Sequence, residues 1–441
     1  MEEVPFVVLG TGMAGLGAAY ALKAAGARFV CYDKNNSVGG HSRSLRYDNG
    51  FTFDEGGHIS FTKNAHVQEV FSENVRGSYV ESRLTIDNYW QGLRLPHPIQ
   101  NNLRHLPAEL IVQIIADYKA SDTCASEGQT SRPSHQTYAD WLHRSYGPTF
   151  AKTFPMIYGK KYHTTDTENL TTDWIGPRMY RPTIEELVRS ALPGTTPIPN
   201  YIDGFRYPKT GGFVSFLEPF SDTFRIRVNK RATHLDPKKR TLQFADGETI
   251  SYGTLISSIP LPDLISIMKG APDDVLSASK KLAFSTVWLV NLGVGRADVS
   301  DAMVTYFYDE DIIISRINLP HLFSPGNAPD GCATIQAEIY FSDRFKPCVD
   351  SPQDLIQRTI ADLRRCKILR EDDRILLADA VVARHANVIY DFDRVPALRV
   401  VHGYLDEAGV RYCGRFGHWD HAWTDQAFVS GEDAARAALG S

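Results

Sequence analysis

The stretch "VPFVVLGTGMAGLGAAYALKAAGARFVCYDK", residues 4–34, constrains this chain more than any other. Val4 to Leu9 is a short apolar run of the kind that forms a buried parallel strand. It is followed by Gly10, Gly12 and Gly15 in the spacing GxGxxG, and then by a segment rich in alanine that predicts a helix able to lie close against a sheet. A second strand, "ARFVCYD", ends at Asp33. Each part has a physical task. Gly10 permits the tight turn out of the strand, Gly12 lets a pyrophosphate reach the backbone, and Gly15 allows helix and strand to touch. The helix N-terminus offers free N–H groups and a positive dipole end to phosphates. An acid at the end of the second strand is placed for ribose hydroxyls. Glycines alone carry little, but glycines, helix, strand and acid in this order predict a dinucleotide site in a Rossmann-type α/β unit.

The following residues narrow the dinucleotide. "KNNSVGGHSRS" brings a second glycine doublet, Gly39 and Gly40, with His41, Ser42 and Arg43 beside it. A nicotinamide site has no need of it. It resembles the extended signature of flavoproteins in the amine oxidase and sugar mutase clan, where such a doublet approaches the FAD pyrophosphate. A third doublet lies in "FTFDEGGHISFTKN", residues 51–64, where Gly56 and Gly57 precede His58. Paired glycines are costly in a regular element. Their presence predicts that something flat comes close to this backbone.

The remainder reads as two further regions. "TLQFADGETISYGTLISSIP" predicts a hairpin turning at Asp246-Gly247, then another strand "LISSIP" leading back to the core, with "FRIRV" as a strand just before. Residues 71–204 carry helical patterns, as in "PAELIVQIIADYKASD" and "HQTYADWLHRSYG", around an exposed loop "CASEGQTSRPSHQ". "STVWLVNLGVG", "MVTYFYDEDIIISRINL" and "CATIQAEIYF" predict the strands of a second sheet. In "YCGRFGHWDHAWTDQAFVSGEDAARAAL" a strand ends, Gly414, Arg415 and Gly417 form a loop, and a helix begins near Asp425 and Gln426. That gives a second helix N-terminus aimed at something polar. The expected organisation is a discontinuous FAD-binding domain (1–70, 205–265 and 400–441), a mainly helical substrate region (71–204) and an antiparallel substrate-domain sheet (266–399).

Composition excludes some partners. The chain has 441 residues, is 43% hydrophobic and 22% charged, and carries a net charge of −5. This is ordinary globular composition, with no basic surface for nucleic acid. The six cysteines are scattered, with no CxxC pair and no metal spacing, as for reduced thiols in a cytoplasmic protein. No uncharged apolar run approaches a membrane span, and "MEEVPFVVLG" has acids where a secretion signal needs bases. A soluble cytoplasmic protein without a metal is expected, its oligomeric state left open.

Beyond these readings the chain resembles the UDP-galactopyranose mutases, especially the eukaryotic type, over most of its length. "FDEGGHISFTKN" looks like that family's loop beside the flavin ring, and "LRLPHPIQNNLRHLP" like its nucleotide-contacting segment. "DWIGPRMYRP", "FRYPKTGGF", "TYFYDEDIIISRINLPHLFSPGNAP" and "GRFGHW" are similar to further motifs in the same order. The resemblance implies a ring-size exchange of a nucleotide-activated sugar at N5 of reduced FAD, without net redox. It places Arg178, Arg316 and Tyr306 at the diphosphate or sugar, the backbone of Gly57 and His58 against the flavin, and Arg415 near it. Gly414, Asp425 and Gln426 would hold the pyrimidine edge or the ribityl chain. Gln100 is kept in the nucleotide segment. His97 and Ile99 stand at its aromatic positions, Asn387 and His421 stand where the family has diphosphate-binding tyrosines, and Tyr162 replaces a tryptophan. These departures keep a second reading open, an FAD-dependent oxidoreductase of amine oxidase or protoporphyrinogen oxidase type. A third is a flavin-binding protein without catalysis.

Overall fold

The computed structural model describes residues 2–126, 136–176, 179–194, 202 and 204–440. Arg178 and the core of the loop read in "CASEGQTSRPSHQ" lie outside the described residues. The N-terminal reading translates directly into structure: strand β1 (Glu2–Leu9), helix α1 (Met13–Ala24) and strand β2 (Phe29–Tyr32). β1 pairs in parallel with β2 on one side and with Thr249–Ser257 on the other. Ile226–Arg227, from "FRIRV", extends the sheet beyond β2. Val7, Val8, Leu255 and Ile256 are fully buried, because helices cover both faces and leave no polar side for alternation.

The hairpin turns where Asp246-Gly247 predicts, with Gly247 at φ +85°. The strand after it differs from the expectation. Instead of two strands, Thr249–Ser257 runs unbroken. Its first residues pair with Thr241–Phe244, and its last three with Val410–Tyr412, from far down the chain. Fresh partners at its C-terminal half keep it extended past the point where the hairpin stops.

Against this sheet the C-terminal helix Thr424–Leu439 packs on α1 at backbone distance. A Cβ on Gly17 would lie 2.0 Å from the Phe428 carbonyl oxygen, and one on Gly431 would lie 1.8 Å from that of Ala14. Glycine on each helix faces backbone of the other.

The second sheet has the order Ile375–Val388, Phe284–Val294, Ala333–Phe341, Arg316–Asn318, Val304–Phe307, Ile86–Trp90, Leu93–Pro96. All its pairs are antiparallel except Val304–Phe307 with Ile86–Trp90. Two of these strands come from the segment read as mainly helical. Both are short. Ile86–Trp90 enters the sheet beside Val304–Phe307, more than two hundred residues away, and Leu93–Pro96 folds back on it as a hairpin at the sheet edge, so local periodicity carries little sign of them. The rest of that segment supplies helices Ala108–Ser126, Tyr138–Tyr146, Pro148–Thr153 and Pro155–His163. Tyr138–Tyr146 opens on a capping box in which Thr137 and Asp140 satisfy each other's backbone N–H. No helix among the described residues is long and apolar enough to cross a membrane. Cys31, Cys332, Cys348, Cys366 and Cys413 are free thiols.

Candidate functional site

Two glycine loops meet at the start of α1. The Gly39 N–H donates to the Thr11 carbonyl at 2.9 Å, and a Cβ on Gly40 would come within 2.9 Å of the Gly12 Cα. The glycines divide by cause. A Cβ on Gly10 (φ +96°) would meet the Ser258 hydroxyl at 2.5 Å, and one on Gly15 would meet the Gly10 carbonyl oxygen at 1.9 Å. Protein packing alone requires these two. Gly12 is different, since a Cβ there would find no atom nearer than 3.8 Å. The chain keeps open space at the N-cap of α1, where no side chain caps the helix. Asp33 is engaged by the same loop. Its Oδ2 accepts from the backbone N–H and the hydroxyl of Thr11, each at 2.7 Å, and its Oδ1 accepts from Asn35 N–H.

The loop Gly39–Ser42 leads to Glu55, which binds His41 at 2.5 Å and also pairs with Arg43. Burial pushes the Glu55 carboxyl up, but hydrogen bonding and charge from His41 and Arg43 overcome it and hold the group below the usual range. Next come Gly56 at φ +97° and Gly57. The His58 ring donates from Nδ1 to the Gly56 carbonyl at 2.9 Å and leans on Phe213. Burial lowers its pKa to about 4, so the ring is neutral near pH 7.

The face of the second sheet that meets this loop is polar and largely buried. Arg316 lies directly across from Glu338 on one side and from Tyr306 on the other. Its Nε donates to Glu338 at 2.7 Å. Glu338, 1% exposed, also accepts from the Tyr340 hydroxyl (2.5 Å) and from Asn318 (2.8 Å). Burial raises its pKa, but Arg316 outweighs that and keeps the carboxylate ionised. Gln336, two residues earlier on the same strand, donates to the Asp54 carbonyl at 2.7 Å and so ties the sheet to the glycine–histidine loop.

Aromatic rings line one flank of Arg316. His97 stacks on Tyr306 (5.4 Å between centroids), Tyr158 meets Tyr306 edge-on (5.2 Å), and Tyr162 follows one helical turn after Tyr158. Burial holds His97 near pKa 4, and its Nδ1 lies 3.2 Å from the Asn88 side-chain oxygen. Asn387 and Arg415 also come together. The Asn387 Oδ1 accepts from Tyr162 (2.8 Å) and from Arg415 (2.6 Å), and the same Arg415 nitrogen lies 3.2 Å from His421 Nδ1. The residues around Gly414–Arg415, read as a loop, form a short helical turn, Gly414–His418. Gly414 lies at φ +77° there, and a Cβ on it would also lie 2.4 Å from the Ala14 Cβ, so conformation and packing both call for glycine. Gln100 donates to the Tyr180 carbonyl, Asp425 accepts from Thr62, and Gln426 accepts from Trp423 N–H.

The sequence reading thus named most of the polar residues gathered here. It missed Glu55, Tyr158, Asn318, Gln336, Glu338 and Tyr340. A signal for some of them was present. In "TIQAEIYF" the residues Gln336, Glu338 and Tyr340 alternate with Ile335, Ala337 and Ile339, yet the whole strand Ala333–Phe341 is buried. Buried polar residues at period two mark a sheet face held for hydrogen bonding. Among the described residues no group of His, Cys, Asp and Glu is arranged to hold a metal ion.

Comparison with known proteins gives this architecture its family. The model of the flavin containing amine oxidoreductase family matches residues 13–439. A UDP-galactopyranose mutase solved in its reduced form superposes with a TM-score of 0.92, covering 99% of this chain and 96% of that one at 23% identity. A protein from Exiguobacterium sp. 255-15, provisionally assigned as a protoporphyrinogen oxidase, gives 0.71 at 15% identity over 100% and 99% of the two chains. Putrescine oxidase bound to putrescine gives 0.65 at 13% identity, also over 100% and 99%. The chain belongs to the flavin containing amine oxidoreductase family and has the mutase-type fold. A flavin carrying a diphosphate fits the cradle. The unfilled Cβ space at Gly12 and the start of α1, which no side chain caps, leave room for a diphosphate at the helix N-terminus.

Proposed function

We propose that the chain is an FAD-dependent mutase that interconverts ring forms of a nucleotide-activated or related anionic sugar, working in the reduced state. The observation that supports this most is Arg316. It is a guanidinium fixed by a buried carboxylate, flanked by Tyr306 and Tyr158, on the sheet face that meets the Gly57–His58 loop. Such a cation, held in place before any ligand arrives, suits a diphosphate or phosphate, which it can bind through two parallel N–H groups.

In this reading Gly10, Gly12, Gly15, Gly39, Gly40, His41, Ser42 and Asp33 hold the adenine-dinucleotide part of FAD. Gly57, Gly414, Arg415, Asp425 and Gln426 border the ring and the ribityl chain. The flavin, when bound and reduced, supplies a nucleophilic nitrogen for the anomeric carbon. The chain's own residues do the rest. Arg316, with Arg178 and Tyr306, binds the leaving phosphate oxygens and neutralises charge that grows on them. His97, Gln100, Asn387 and His421 border the substrate. His58 is neutral and its Nδ1–H is committed to Gly56, so its part is to position the loop. The segments 1–70, 205–265 and 400–441 form the cofactor domain, with 71–204 and 266–399 supplying the substrate side.

One observation favours a second reading. Asn387 spends its carbonyl oxygen on Tyr162 and Arg415, at a position where the mutase resemblance puts a diphosphate-binding tyrosine. An oxidoreductase that takes a hydride onto oxidised flavin would not need that hydroxyl. Incubating the purified protein with UDP-galactose and related nucleotide-sugars, with and without dithionite, separates the two. A mutase gives an isomer of equal mass only after reduction. Peroxide or a dehydrogenated product from the oxidised protein overturns the mutase reading.

A further inference from the structure

Gly57 is glycine for a reason inside the protein. A Cβ there would lie 2.6 Å from the Asn318 Oδ1, 2.7 Å from its Cγ and 2.9 Å from its Nδ2. The Asn318 amide occupies the volume that a Gly57 side chain would take. Gly56 differs, since its Cβ position is open to 3.9 Å and its glycine answers only to φ +97°. Asn318 is 2% exposed, and its Nδ2 donates to the same Glu338 carboxylate that holds Arg316.

From this we propose that Asn318 is a positioning residue that couples the Gly56-Gly57-His58 loop to Arg316. The inference rests on the flavin-dependent reading above and adds to it a mechanical link between cofactor side and substrate side. The physical chain is short. The loop backbone rests on the Asn318 amide, the amide donates to one Glu338 oxygen, and the other Glu338 oxygen holds the guanidinium. A displacement of the loop must move the amide, because interiors are close-packed and leave no slack. Losing the amide leaves the buried carboxylate one donor short. It then draws harder on Arg316 and raises the negative potential felt at the loop.

Three variants test this: Gly57→Ala, Asn318→Ala and the double variant, each compared with the unaltered holoprotein. Gly57→Ala is expected to weaken FAD binding by about 30-fold, measured by flavin fluorescence quenching on titration of the apoprotein, as overpacking pushes the loop out of place. Adding Asn318→Ala should return FAD affinity to within about threefold of the unaltered protein, because the clashing atoms are gone. By itself Asn318→Ala should keep FAD bound, lower the flavin midpoint potential, and weaken inorganic pyrophosphate binding several-fold. The proposal is overturned if the double variant loses FAD as badly as Gly57→Ala, which would mean that the flavin itself, not Asn318, excludes a side chain there. It is equally overturned if Asn318→Ala leaves both midpoint potential and pyrophosphate affinity unchanged, a result that can be read even if Gly57→Ala does not fold. Failure of the unaltered protein to bind FAD would instead remove the functional reading on which the inference stands.

Discussion

The glycine cradle around β1 and the polar face of the second sheet are built from opposite materials. In the cradle the recognising groups are backbone N–H donors and a helix end, and the decisive residues are those with no side chain. On the second sheet they are side chains, Arg316, Glu338, Asn318 and Tyr340, held by one another and aimed by strand register. The difference teaches where each half can be damaged. The cradle tolerates no added volume where backbones touch. On the polar face the damaging change is the loss of any one partner, since a buried charge is left behind.

The comparison can be broken most forcefully at Gly15. Gly15→Val forces a branched side chain into the Gly10 carbonyl oxygen, 1.9 Å from the Cβ position. It is expected to cost at least about 3 kcal/mol. Urea unfolding of the apoprotein measures this, and near-normal stability would refute the close helix–strand contact.

Acid should strike next. Burial lowers the pKa of His163 and His385 to about 3 each. Both sit below the unfolded value of 6.5, so the unfolded chain binds more protons between the two values. Stability is fully present above about pH 6.5 and is lost as pH falls through this window. Together these two histidines should remove about 3 kcal/mol between pH 6.5 and 5. Melting temperature followed against pH tests this, and a profile flat over that window would contradict it.

Arg316→Ala removes the partner of a buried carboxylate that keeps two other donors. The expected loss is about 2 kcal/mol of stability, discounted because the arginine is partly exposed, with substrate binding weakened and FAD retained. Loss of FAD would mean that Arg316 serves the cofactor.

The smallest effect sharpens the comparison most. Gly12→Ala meets nothing closer than 3.8 Å, so apoprotein stability should change by no more than about 0.5 kcal/mol. FAD affinity should still fall by about tenfold, since the methyl enters the space kept for the diphosphate. Equal effects on stability and affinity would remove the distinction between Gly12 and Gly15.

Legibility followed the same division. The cradle could be read because its elements are contiguous: strand, glycines, helix, strand and acid fall within residues 4–34. The C-terminal helix was legible from its spacing, but its contact with α1 was not, because Gly17 and Gly431 are over four hundred residues apart and glycine in a helix carries no sign of its partner. On the second sheet, Arg316 and Tyr306 were named through family resemblance. Glu338 was passed over although its alternation with Gln336 and Tyr340 was visible, and Asn318 because it looks ordinary until register sets it diagonally across from Glu338.

The amino-acid sequence by itself determined the Rossmann-type start and the flavin-type glycine loops. Those features depend on neighbours within a few residues, where chain connectivity already supplies the geometry. Only the tertiary structure decided that Asp33 grips Thr11, that Asn387 joins Tyr162 to Arg415, and that the glycine of "DEGGHIS" faces an asparagine. Each of these contacts joins segments that only the packing of helices and the register of distant strands brings within hydrogen-bond reach.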